Sequence, residues 1–272
     1  MRPMIVGLML LALGAAAEQA PRSALAAEPP PLVRTAYPLH VKLSGAAAPA
    51  DPATRRDFLQ TIDRLPDRLA AELPDLGLDR RVPALTVTTE RPPLRQGAAV
   101  VFSWKSFDCY RGGREVVVHL RHTAAASQAD LAAAVYAGVL VAKLPAAPPW
   151  LLIGLAEYLA TERDRSSRPP TSRRRDCLRL SLAGVPPMSR LRAIGITDRL
   201  PSSEAAIAAD SWAWIEFAMQ HSCLSQAVLR SQLSMYARGV ENVSLEHALH
   251  RVYPDLESRI AGHYSLGRLL AD

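Results

Sequence analysis

Leu131-Ala132-Ala133-Ala134-Val135-Tyr136-Ala137-Gly138-Val139-Leu140-Val141-Ala142-Lys143-Leu144, then Pro145-Ala146-Ala147-Pro148-Pro149, then Trp150-Leu151-Leu152-Ile153-Gly154-Leu155-Ala156-Glu157-Tyr158-Leu159-Ala160-Thr161 is the stretch on which the fold turns. The first run is apolar nearly all round. A helix of that kind is buried in a protein core, because it is far short of the ~20 residues needed to span a bilayer. Ser127 and Asp130 supply a capping-box-like start. The prolines from 145 to 149 break the helix, and a second apolar helix follows from Trp150 to Thr161.

Outward from this pair, the C-terminal side reads as helical. Helices are expected over 203–220, 225–236, 244–252 and 254–270. Between Arg163 and Arg175 lies a polar loop containing prolines and carrying Arg163, Arg165, Arg168, Arg173, Arg174 and Arg175. The N-terminal side reads differently. Leu39 to Leu43 alternates apolar and polar residues as a strand does, and further strands are expected over 85–89, 98–104 and 115–121. A helix over 51–73 places Phe58, Ile62, Leu65 and Leu69 on one face, with Pro66 expected to kink or break it. The expected class is α+β: a small N-terminal mixed sheet with one helix, then a mostly helical C-terminal half.

The first residues have the layout of a secretory signal peptide. Arg2 is a positive lead, Met4 to Leu13 is a short apolar run, and Ala15-Ala16-Ala17 ends it. Cleavage is expected after Ala17, with Ala26 as the alternative site. Residues 18–34 read as a flexible leader rich in Ala and Pro, and residues 35–270 as one domain, divided into a sheet part (35–122) and a helical part (127–270). The expected address is the periplasm or the extracellular space, with no integral membrane segment left after cleavage. There, a disulfide among Cys109, Cys177 and Cys223 can form, with the pairing open. The net charge of +6 is almost all arginine, since Lys42, Lys105 and Lys143 are the only lysines. In an exported chain without aromatic residues among the loop arginines, nucleic acid is not the expected partner.

The helix pair resembles the active-site helices of gluzincin-type zinc metallopeptidases, the HExxH group called peptidase MA-like. Those proteins carry His-Glu-x-x-His on one helix and, after a proline turn, Trp-Leu-x-Glu-Gly-x-Ala-Glu-Tyr on the next. Here Trp150, Leu151, Gly154, Ala156, Glu157 and Tyr158 match the second pattern, and Ile153 stands where it has its zinc-ligand Glu. On the first helix, Ala134, Val135 and Gly138 fall over the two His and the general-base Glu. More loosely, the resemblance extends over 37–270, through Tyr110, Val116 to Leu120, Asp210 to Trp214 and Ala248 to Tyr264. It implies a zincin-like fold whose chemistry is gone. Two His one helical turn apart grip a zinc ion, a third ligand closes the site, and the Glu takes a proton from zinc-bound water. Ala134, Val135, Gly138 and Ile153 do none of this, so no catalytic residue, metal or cofactor is expected.

The leading expectation is therefore an exported, non-catalytic metallopeptidase-like protein with a binding or scaffold role. Its partner would be an extended peptide or an envelope protein, bound along the sheet edge. Two alternatives stand beside it. One is an active hydrolase with a displaced metal site drawn from His119, His247, His250 and His263, with Glu246 and His122 nearby, or a thiol site pairing Cys109 with His119. The other is an interaction module that binds anionic partners through the arginine loop from Arg163 to Arg175.

Overall fold

The structure is a computed structural model. It describes residues 32–36, 39–45, 52–76, 84–90, 101–108, 114–121, 128–161, 179–180, 182–185, 187–188, 191, 204–241 and 243–265. For the strands and for some helix positions this description covers the backbone alone.

Five strand segments pair through their backbones: β1 (Leu32–Ala36), β2 (Leu39–Gly45), β3 (Ala84–Glu90), β4 (Val101–Asp108) and β5 (Arg114–Arg121). Their order is β1-β2-β3-β5-β4. β1 lies antiparallel to β2 with Arg34 opposite Val41, and β2 and β3 run parallel with Val41 opposite Leu85. β3 and β5 are also parallel, with Val87 opposite Val118, while β4 closes the row antiparallel to β5 with Trp104 opposite Val118. β1 is not among the expected strands and begins inside the stretch read as a leader.

The helices are α1 (Pro52–Glu72), α2 (Gln128–Lys143), α3 (Pro149–Ala160), α4 (Glu204–Gln220), α5 (Cys223–Ala237), α6 (Leu245–Val252) and α7 (Leu256–His263). A short 3-10 turn, Pro74–Leu76, follows α1. The expected class is corrected by what these helices do. Among the residues whose side chains are described, 80% are helical and none lies in a strand or sheet. The α+β, zincin-like picture gives way to a packed interior that is helical. The reason lies in α1. Among the described residues, its stripe of Ile62, Leu65 and Leu69 joins the same buried cluster as α2, α3 and α4, so it belongs to the helical core. Apolar burial, worth about 25 cal/mol per Å² removed from water, draws the stripe to the largest apolar surface available.

That surface is the α2–α3 pair. In α2, every residue from Ala132 to Val141 is buried, as is every residue of α3 from Trp150 to Leu159 except Glu157. α4 packs along α3 and brings Trp212, Trp214, Ile215 and Phe217 into the core. α1 runs through Pro66 without a break, contrary to expectation. The lost backbone bond is outweighed by the buried residues on either side of it, Leu65 and Leu69.

Local signals set the later helix ends. The Ser222 side chain accepts from the Ser225 N–H and the Ser225 side chain accepts from the Ser222 N–H, a reciprocal cap at the start of α5. At its other end Gly239 adopts φ +76°, the Gly239 N–H donates to Tyr236 O and the Val240 N–H donates to Met235 O. This pair of bonds is a Schellman cap, which calls for a residue without a Cβ at the left-handed position. α7 ends at His263, short of the expected Leu270. Tyr264 is drawn off the helix axis onto α4, where its hydroxyl donates to Ala213 O at 2.7 Å.

Candidate functional site

The four positions that the resemblance aligns with metal chemistry lie in the helical core. Ala134 and Val135 on α2 have no exposed surface, Gly138 is buried beside them in sequence, and Ile153 on α3 is 4% exposed. Methyl groups and a bare Cα carry neither a lone pair for a cation nor a proton to exchange with water. What this arrangement can do is pack. Burying a side chain the size of Ile153 contributes about 1.5–3 kcal/mol.

The remaining motif residues have packing roles as well. Trp150 begins α3 and is buried, and Ala156 and Tyr158 are buried further along it. Gly154 is where α3 and α4 meet. A Cβ placed there would lie 2.4 Å from Ser211 O and 2.7 Å from Ile215 Cγ1. No real Cβ sits so close to a backbone oxygen, so the glycine sets how near the two helix axes come. Glu157 is half-buried, and its backbone oxygen accepts from both the Thr161 N–H at 3.1 Å and the Thr161 hydroxyl at 2.5 Å. The Arg68 guanidinium on α1 then donates to Thr161 O at 2.6 Å, tying the end of α3 to α1. Position 157 is thus part of a helix terminus and of an α1–α3 tie.

Tyr136, on α2, carries the titration signal of this core. Burial, the largest influence, pushes its phenol up to about 12 from its ordinary value of 10.0; the charge of Arg68 opposes this rise and that of Glu72 adds to it. A raised folded value means the neutral phenol is favoured by folding. The associated stability, on the order of 2–3 kcal/mol, is fully present below about pH 10 and is lost as pH rises through about 12. In denaturant titrations across this range, the wild type is expected to lose more stability than Tyr136→Phe. Parallel curves for the two proteins would contradict the burial.

An open groove of about 200 Å³ lies beside the proline turn, lined by Ala146, Pro148, Trp150, Met188, Tyr236, Val243, Ser244 and Leu245. One wall is fixed by the Tyr236 hydroxyl, which donates to Val243 O at 2.8 Å. Sequence reading misses this feature. Trp150, Met188 and Tyr236 stand far apart in the chain, and no local pattern brings them together. A smaller hollow of about 50 Å³ lies between α1 and α2, with Leu69, Leu73, Leu76, Val139, Leu140 and Lys143 in its wall.

The C-terminal histidines do not converge. His247 is exposed, His250 pairs with Glu257 at 3.3 Å, and His263 pairs with Glu216 at 2.5 Å in a separate buried cluster. Glu246 has partners of its own. Among the described residues there is no group of three His, Cys, Asp or Glu that could hold a metal ion. His119 falls on β5, opposite Thr88 and Ser103, with its side chain outside the described residues. Cys109, His122, Cys177 and the six arginines from Arg163 to Arg175 also lie outside them. Cys223 is a free, exposed thiol at the start of α5. Past the arginine segment, Arg179 pairs with the buried Asp210 on α4.

Compared with known protein families, curated proteins and solved structures, the chain has no match.

Proposed function

We propose that this chain acts by binding and not by catalysis, as an exported protein of the cell envelope that keeps a peptidase-like helix pair as a packing element. One observation carries the reading: Ala134, Val135, Gly138 and Ile153 are each apolar and buried, on the packed helices α2 and α3. A cation held there would have to give up its water for methyl groups, at a desolvation cost of several kcal/mol with no ligand in return. The proposed address follows from Arg2, the Met4–Leu13 run and the alanines after it, all outside the described residues. No helix among the described residues is long and apolar enough to cross a membrane.

For binding, the groove at the proline turn presents the half-buried Ala146, Pro148, Val243 and Ser244 alongside the buried Trp150, Met188 and Tyr236. A concave, largely apolar surface of this kind can accept an apolar side chain from a partner. An extended peptide or another envelope protein is the proposed partner.

Metal analysis of the purified full chain tests the non-catalytic part. Substoichiometric zinc, and no peptide hydrolysis that a chelator suppresses, are expected. About one zinc per chain, removed by chelator together with hydrolysis, would overturn the proposal.

A further inference from the structure

Two helix N-termini meet at one space. The groove beside the proline turn is lined by Pro148 and Trp150, the N-cap and second residue of α3, and by Ser244 and Leu245, the N-cap and first residue of α6. The first turn of a helix presents unpaired N–H groups and about half a positive charge. On α6 the Ser244 side chain takes up the His247 N–H at 3.2 Å. α3 has no side-chain cap at Pro148, and Pro149 brings no N–H. The Leu151 and Leu152 N–H groups turn back to Pro148 O. Among the described residues, the Trp150 and Leu245 backbone N–H groups are then left without a hydrogen-bond partner.

The Trp150 side chain adds a donor. It is 2% exposed, it lines the groove, and its indole N–H has no hydrogen-bond partner among the described residues. A long side chain on a helix is directed back toward the N-terminus, which brings the indole to the same end of α3 as the free amide. A buried donor without an acceptor is unfavourable, and a ligand oxygen satisfies it. No acidic side chain lines the groove among the described residues. Glu246, the acidic residue in the first turn of α6, has partners of its own. The other walls are Ala146, Met188, Tyr236 and Val243, and the Tyr236 hydroxyl is taken by Val243 O. Donors for an anion are thus set among apolar walls. The volume of about 200 Å³ suits one residue and is below the ~300–1,000 Å³ of pockets that enclose a whole drug-sized ligand.

We propose that this groove captures the C-terminal residue of a partner polypeptide. Its α-carboxylate is held at the N-termini of α3 and α6 by the Trp150 donors, and its apolar side chain lies against Ala146, Met188 and Val243. This deepens the binding reading above and rests on it, since no bond is made or broken. Capture of a terminal carboxylate by backbone N–H groups is a recurring mode of peptide recognition, and helix N-termini favour an anion. The same chemistry selects against an internal segment, which brings no carboxylate. It also selects against a charged last side chain, which would be buried among apolar walls without a partner.

Calorimetric titration of the full chain tests the capture, with short Gly/Ser peptides ending in Leu, Phe, Val or Met as probes. Each is used as the free acid and as the C-terminal amide. At least one free acid is expected to bind about tenfold or more tightly than its amide, because a hydrogen bond to a charged acceptor is the stronger kind. Trp150→Phe keeps the aromatic body and removes the indole N–H. It is expected to weaken the acid about tenfold and to leave the amide nearly unchanged. Val243→Glu sets a negative charge in the wall and is expected to abolish binding of the acid. Equal affinity for acid and amide would refute the capture and leave the groove as a site for an apolar side chain, so the binding reading would survive. No binding by any of the four acids at about 1 mM would refute it as well. Zinc content decides the non-catalytic reading separately. Should Trp150→Phe fail to fold, the acid–amide comparison on the wild type and the Val243→Glu variant decide.

Discussion

Replacing Ile153 by Glu, which restores the acidic residue of the peptidase pattern, is expected to unfold the chain or to destabilise it by at least about 3 kcal/mol. Ile153 is buried on α3 among apolar neighbours. A carboxylate there loses its water and gains no ligand. It also stands one helical turn before Glu157, so a second negative charge falls on the same helix face. The alternative is a neutral carboxylic acid, which still buries a hydroxyl and a carbonyl. Ile153→Met, nearly equal in volume, is expected to cost under about 1.5 kcal/mol. Chemical denaturation of the two variants beside the wild type checks both figures. A stable Ile153→Glu protein would mean that position 153 opens on water or on a cation, and the packing account of this position would then be wrong.

Gly154→Ala is expected to destabilise by about 1–3 kcal/mol, against the ordinary direction of a glycine-to-alanine change in a helix. Helix propensity alone favours Ala by up to about 1 kcal/mol. Sterics win because the atom in the way is the Ser211 carbonyl oxygen, 2.4 Å from the new Cβ. That oxygen is part of the α4 backbone and moves only if the helix moves. Gly262→Ala on α7 is the matched control: its Cβ meets nothing within 4 Å, so a gain of about 0.5–1 kcal/mol is expected. Thermal or denaturant unfolding of the two alanine variants should give shifts of opposite sign. Equal gains would show that α3 and α4 are not in close contact.

These two neighbouring positions also show how far sequence reading reaches. Gly154 is read as a matched letter of a peptidase pattern, and its physical task, close approach of α4, has no local signature. Ile153 is read as a missing ligand, and the structure gives it a place in the core. Helix positions are legible wherever one local rule dominates. The apolar run from Leu131 and the proline turn set α2 and α3 to within a few residues of Gln128–Lys143 and Pro149–Ala160, and Ser244 as N-cap fixes the start of α6. Pro66 and the end of α7 are where local rules mislead. Pro66 is overruled by burial along α1, and Tyr264 by a hydrogen bond to a helix that ends more than forty residues earlier.

The sequence by itself determined which segments are apolar enough to be buried, and that Ala134, Val135, Gly138 and Ile153 carry no metal-binding or proton-accepting side chain. Both follow from residue identity alone, because a methyl group cannot coordinate a cation in any fold. Only the tertiary structure decided that α1 joins the helical core, that Gly154 is a contact point, that Trp150 and Tyr236 share a groove, and that Glu216 meets His263 and Tyr264. Each of these depends on which buried surfaces face one another. That choice is made by shape and by partners distant in the chain, and periodicity within a single helix does not encode it.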